Sequence, residues 1–269
     1  MLPTVLCLVV IFGYVFSFAL YFINFELRNE SLTAASRRTV ELTLLAHLSS
    51  LVYLIGSTGG IGGSSLAHHV IPILIVGLCY FMERGWGGRN LLLFALPITV
   101  LFCLLAVFSS QPPLAGGRSG PWFLLHAGFM FGGFAGLLAA VSSALMYLVQ
   151  SAQLKSKHLG RAFLRLPSLG ALDRLHSRAL LIGVACFSAG ILCGLLWARH
   201  LNGSREVLMR DPKIILSFFT YALYGLILAL RLSNVRRGHK IALGTVIAFA
   251  ALTATFVSSH PAPALLVGA

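Results

Sequence analysis

WFLLHAGFMFGGFAGLLAAVSSALMYLV, residues 122–149, runs for twenty-eight residues without one Asp, Glu, Lys or Arg. The hydrocarbon core of a bilayer is about 30 Å thick, and roughly 20 apolar residues of helix cross it. In lipid a single segment satisfies its own backbone only as a helix. The stretch is therefore a transmembrane helix whose inner end projects into water. Working outward, further apolar runs fall at 2–24, 42–57, 66–82, 91–109, 179–199, 214–232 and 241–258. The second and third are short, and the Gly/Ser-rich link Ser57–Ser65 lets one of them extend. No Lys or Arg precedes the first run, which reads as a retained helix and not a cleaved signal. The expected fold is all-α: a polytopic membrane helix bundle of about eight transmembrane helices, a single transmembrane domain over 1–269.

Composition agrees. The chain is 58% hydrophobic and 10% charged, with a mean hydropathy of +0.90. Soluble domains carry about 25% charged residues. The net charge of +13 does not point to nucleic acid, because the basic residues form short clusters between apolar runs and not one solvated face. Counting Lys and Arg by alternate loops puts fifteen on one side and five on the other. The richer side is cytoplasmic, so both termini lie outside, in the cytoplasmic (inner) membrane. The acids Glu26, Glu30, Glu41, Glu83, Asp173, Glu206 and Asp211 fall in loops or at helix ends, which argues against an ion-coupled transporter. The five cysteines lie in apolar stretches and form no C-x-x-C pair.

With carboxylates absent from the spans, histidine is the chemically capable side chain that remains. His126 stands near the outer end of the fifth helix and His260 just past the outer end of the eighth. Two facing neutral imidazoles can hold one haem iron through both axial sites; the alternative is two interfacial histidines that snorkel to water. His47, expected a turn and a half from the inner end of the second helix, is either a hydrogen-bonded packing residue or a ligand or proton-handling group. His68 and His69 open the third helix, and at most one of an adjacent pair points inward. His176 is expected at the interface. Gly128, Gly132, Gly136, Ala140 and Ala144 recur every fourth residue, a ridge for close helix packing or for a flat ligand; Gly183, Gly190 and Gly194 soften one side of the sixth helix.

Gly120-Pro121-Trp122-Phe123-Leu124-Leu125-His126, the small-residue helix ending Tyr147-Leu148-Val149-Gln150, Lys155-Ser156-Lys157, Leu166-Pro167-Ser168-Leu169, Leu172-Asp173-Arg174-Leu175, Gly194-Leu195-Leu196-Trp197-Ala198 and Asp211-Pro212-Lys213 follow in order. This series, with Arg236-Arg237-Gly238-His239-Lys240 after it, resembles the core of the cytochrome c assembly protein family (CcsA/HemX/YpjD-like) over 120–260. Residues 1–119 resemble it only in helix count and in His47. The resemblance implies an outer-face haem site with His126 and His260 as axial ligands and a b-type, non-covalent haem. In a haem-handling protein His47 would form or stabilise a second, deeper site, and Arg118, Arg199 or Arg205 is expected to pair with the haem propionates, since a guanidinium matches a carboxylate bidentately. Two departures are informative. Synthases of the family carry a tryptophan-rich segment before the seventh helix; here it is Gly203-Ser204-Arg205-Glu206-Val207-Leu208-Met209-Arg210. The family's histidine on the seventh helix is replaced by Ala229. The chain therefore sits nearer the HemX/YpjD-like branch.

The expected function is a membrane haem-handling protein supporting cytochrome c biogenesis, with haem, membrane lipid and other cytochrome c maturation proteins as partners. The alternative is a non-catalytic regulator or assembly partner of tetrapyrrole biosynthesis, recruiting a cytoplasmic enzyme through the basic loop 150–178. A small-molecule permease is a third reading, unsupported by any internal repeat. The sequence holds no nucleophile–base pair or cofactor fingerprint that speaks for an enzyme.

Overall fold

A computed structural model describes residues 2–27, 29–58, 64–108, 121–157, 160, 164–200, 210–233 and 238–257, without the side chains of 2–4, 58, 64–68, 105–108, 200, 256 and 257. Eight long helices account for nearly all of this: α1 Leu2–Leu27, α2 Glu30–Thr58, α3 Ser64–Gly85, α4 Leu91–Phe108, α5 Pro121–Ser156, α6 Leu169–His200, α7 Pro212–Leu232 and α8 His239–Val257. Among the described residues there is no strand. The chain is a polytopic, multi-pass membrane bundle. By length and composition α1, α2, α5, α6 and α7 each suffice to cross a bilayer.

The helix starts follow local chemistry that hydropathy does not register. Asn29 accepts from the Ser31 backbone N–H at 2.8 Å, capping α2. The helix thus begins at Glu30 and not at 42, and Arg37, Arg38 and Glu41 are helical. Likewise α6 starts at Leu169, ahead of the expected 179, so Asp173, Arg174 and Arg178 are helical. Asp211 and Pro212 open α7. The Asp211 carboxylate accepts from Lys213 N at 2.9 Å and Ile214 N at 3.2 Å, and Pro212 takes a first-turn position where no N–H is needed.

At the centre is α5, buried almost continuously from Gly133 to Ala144. It packs against α3, α4, α6 and α8, while α1 packs on α2 and α4, and α7 on α6 and α8. The α5–α6 contact is made by small residues. A Cβ on Gly136 would lie 2.6 Å from Gly183 Cα, and one on Gly183 would lie 2.7 Å from Leu137 N. Backbone therefore meets backbone, as small-residue motifs allow in membranes. The expected ridge is rotated in part: Gly133 would strike Phe187 N at 2.9 Å, whereas Gly128 faces open space. It is occupied by α6 and leaves no room for a flat ligand there. Large apolar side chains cover the outside, among them Phe12 (70% exposed), Val52 (69%) and Leu42 (65%). Water would penalise such a surface; a hydrocarbon solvent does not.

One end of the bundle is tied by polar contacts from the basic loops. Asp173 on α6 receives a two-pronged guanidinium from Arg231 on α7, at 2.8 and 2.6 Å. Arg231 also donates to the Asp173 carbonyl at 3.1 Å and to the Ser177 hydroxyl. Tyr21 on α1 donates to Glu83 on α3 at 3.3 Å, and Asn90 at the head of α4 donates to the Arg165 carbonyl at 2.9 Å. Residues from the α1–α2, α3–α4 and α5–α6 connections thus converge at one end, as the alternation of loops requires.

Candidate functional site

His126 lies on the second turn of α5, half-buried against α6. Its Nδ1 is 2.8 Å from the carbonyl oxygen of Gly190. A carbonyl only accepts, so Nδ1 carries the proton and Nε2 is the basic nitrogen. This is the arrangement in which metal-ligating histidines are held, with the distal nitrogen oriented by a backbone acceptor. Two features of α6 make the approach possible. Gly194 leaves room for the ring, since a Cβ there would sit 2.6 Å from Nδ1. Trp197 lies parallel to the imidazole, centroids 6.1 Å apart and planes at 21°, and Phe123 packs on Trp197 at 5.1 Å. An aromatic wall beside His126 therefore exists on α6, although the loop tryptophans of the family's synthases are absent. Its signal in the sequence was Trp197 itself, seven residues after Gly190 on one helix face.

His260 lies outside the described residues, as do Arg118 and Arg205. Arg199 is exposed at the outer end of α6.

A second cluster sits inside the N-terminal half. His47 is 2% exposed and lies mid-helix in α2, not near its inner end, because that helix starts at Glu30. Its Nδ1 is 3.0 Å from the Tyr14 hydroxyl on α1, and its Nε2 is 3.2 Å from His69 Nδ1 on α3. Both contacts are edge-on, with ring planes at 67° and 69°. Of the adjacent pair, His69 is the one drawn inward; the His68 side chain is outside the described residues. The chain of three has two self-consistent proton arrangements. In one, Tyr14 donates to His47, which donates to His69. In the other, His69 donates to His47, which donates to Tyr14, and His69 Nε2 is the basic nitrogen. Both ring nitrogens of His47 are occupied either way. Sequence gave no sign of Tyr14, one of several aromatic residues on α1.

His176 is not interfacial. It is 2% exposed, and its Nε2 lies 2.9 Å from Thr245 Oγ1 on α8. It is a packing histidine with a satisfied partner. Ala229 is exposed on α7. Among the described residues no three His, Cys, Asp or Glu side chains gather as a metal site. The donors present suit a group needing one or two imidazoles, which is what a porphyrin iron needs.

Comparison with known proteins gives a consistent picture. The family described as Cytochrome C assembly protein matches residues 35–261, taking in α2 to α4 as well as the C-terminal half. The chain is 25% identical over 227 residues to the cytochrome c biogenesis protein CcsA of Synechococcus sp. (strain CC9902), covering 71% of this chain and 74% of that one. It is 24% identical over the same length to CcsA of Synechococcus sp. (strain CC9605), with the same coverage. It is 34% identical over 98 residues to the protein HemX of Brevibacillus brevis, covering 36% of this chain and 34% of that one. No solved structure matches. With the ordered motifs, the eight-helix bundle and a match spanning most of its length, the chain belongs to the cytochrome c assembly protein family.

Proposed function

We propose that this protein supports cytochrome c biogenesis in the cytoplasmic membrane by holding a b-type, non-covalent haem at the outer face, with His126 and His260 as axial ligands. The observation that carries the reading is the Gly190 carbonyl on His126 Nδ1, which leaves Nε2 basic. Helix geometry supports the pairing. Gly238, heading α8, sits against Tyr147 near the inner end of α5. From Tyr147 back to His126 is about 31 Å of helix, and α8 itself is about 27 Å long. The outer end of α8 thus reaches to within a few ångströms of the level of His126, and His260 follows three residues later. Bound haem would supply iron chemistry; the chain's own part is to orient an imidazole and wall the site with Trp197 and Phe123.

The Tyr14–His47–His69 chain is the candidate for the deeper site, with His69 nearest the ligand and His47 behind it. Other maturation proteins are the expected partners. The alternative remains recruitment of a tetrapyrrole enzyme through the loop 150–178, where Lys155 and Lys157 are exposed, while Arg165 donates to the Glu26 carbonyl and Arg178 lies over the Trp86 ring at 4.9 Å.

The test is the absorption spectrum of the purified protein, with and without reductant. A Soret band that sharpens and shifts on reduction is expected. A His126→Ala, His260→Ala double variant retaining full haem content would overturn the outer site.

A further inference from the structure

At the cytoplasmic end, a cavity of about 120 Å³ opens between the foot of α1, the start of α2, the α3–α4 junction and the segment before α6. Arg37, Arg89 and Arg165 line it, against a single carboxylate, Glu83. The two oxygens of Glu83 are already engaged, by Leu92 N at 2.9 Å and the Tyr21 hydroxyl at 3.3 Å. Among the described residues the recorded ion pair is Arg231–Asp173, and none involves the three lining arginines. Arg165 is the most constrained of them. Its Nη2 donates to the Glu26 carbonyl at 2.7 Å, its guanidinium stands 5.6 Å from the Phe25 ring, and its backbone carbonyl is held by Asn90. Its remaining Nη1 is buried with no hydrogen-bond partner. A buried donor without an acceptor costs about 1–3 kcal/mol, and more when charged.

We propose that this cavity binds a phosphate ester or phosphate anion through Arg165, Arg89 and Arg37. The missing acceptor, the surplus of positive charge and the size of the space point to the same ligand. Guanidinium forks match oxyanions two bonds at a time. Three converging forks exceed what one carboxylate's two oxygens can serve; a phosphate offers more. The space is smaller than the roughly 300–1,000 Å³ of sites for drug-sized ligands, so a tetrapyrrole ring does not fit and a headgroup-sized anion does. Arg37 and Arg89 are exposed, so the cavity is open to entry. It lies at the end of the bundle where the inner-leaflet headgroups of an anionic lipid would sit. A lipid phosphodiester and free phosphate share this chemistry, and the experiment separates them. The proposal does not depend on haem binding at the opposite end.

The full-length protein is purified, delipidated in detergent and titrated with inorganic phosphate against chloride at equal ionic strength, following the thermal midpoint. In parallel it is reconstituted in nanodiscs of phosphatidylcholine, with or without phosphatidylglycerol, and retained lipid is read by native mass spectrometry. Wild type and Arg174→Gln, an exposed control on α6, are expected to respond. Arg89→Gln is expected to bind roughly tenfold more weakly, as is Arg165→Gln. Because Arg165 also ties the foot of α1, Arg89→Gln is the variant on which the result rests. Response to phosphate in detergent identifies a soluble anion; selective retention of phosphatidylglycerol alone identifies a headgroup. No response to either probe, or an Arg89→Gln response equal to wild type, overturns the proposal.

Discussion

The Nδ1 of His126 and the main-chain carbonyl of Gly190 lie 2.8 Å apart across the α5–α6 seam. Because that carbonyl belongs to a helix already packed on α5, the imidazole tautomer is fixed by backbone and not by a movable side chain. The space for the ring comes from Gly194, where a Cβ would stand 2.6 Å from Nδ1 and 2.8 Å from Cε1. Gly194→Ala is therefore expected to turn the ring off Gly190 and lower haem content, while circular dichroism shows the helices intact. Gly128→Ala, which points into open space, serves as the matched control. Equal haem content in Gly194→Ala and wild type would detach His126 orientation from binding.

The α5–α6 contact predicts a sharp contrast between glycines. Gly136→Val would drive two methyl groups into the Gly183 backbone, which cannot yield by changing a rotamer. Overpacking costs about 1–3 kcal/mol where side chains can move, and the upper end or more is expected here. Gly225→Ala on α7, with nothing within 4 Å, removes a helix-destabilising glycine. The thermal midpoint in detergent should fall markedly for the first and hold or rise for the second.

How far the sequence disclosed all this depends on the physics of each feature. The uncharged run 122–149 announces α5 because lipid excludes charge. The start of α2 was hidden from the same criterion, because hydropathy measures residence in lipid and not helicity; its signal was Asn29, a capping residue two before Ser31. Spacing identified Gly183, Gly190 and Gly194 as one face, and all three do meet α5, at Leu137, Met130 and His126. It could not phase the partner ridge, where Gly133 makes contact and Gly128 does not, because two straight helices touch only near their crossing. Tyr14 and His47, thirty-three residues apart, meet through the rotation of α1 and α2 about their axes, which no local pattern encodes.

Tyr14 and His47 are both buried, at 0% and 2% exposure. Removing the hydroxyl in Tyr14→Phe leaves His47 Nδ1 without its partner on α1, a loss of about 1–3 kcal/mol. Tyr53→Phe, on the 43%-exposed face of α2, should cost nothing measurable. Denaturation in mixed micelles compares them. Equal stabilities would mean that His47 finds another donor or acceptor in the core.

The Asp173–Arg231 pair closes α6 onto α7 with two parallel hydrogen bonds, and its side chains are 30% and 11% exposed. That partial exposure places it between a surface ion pair, worth about 0–1 kcal/mol, and a buried one, whose loss of a single partner costs about 3–5 kcal/mol. Arg231 is the better buried, and it holds Ser177 and the Asp173 carbonyl as well. Removing Asp173 in Asp173→Asn leaves the guanidinium two other acceptors, so a cost of about 1–2 kcal/mol is expected. Arg231→Met keeps the apolar stem but strands the Asp173 carboxylate, while the Ser177 hydroxyl keeps its donation to the Asp173 carbonyl at 2.6 Å; with a part-buried acceptor left unpaired it should cost more. The double variant should be less unstable than the sum of the singles, since the second change removes a group that the first has already left unpaired. Stability measured for all four proteins checks this; strict additivity would mean that the two residues stabilise the bundle independently, each through its remaining contacts.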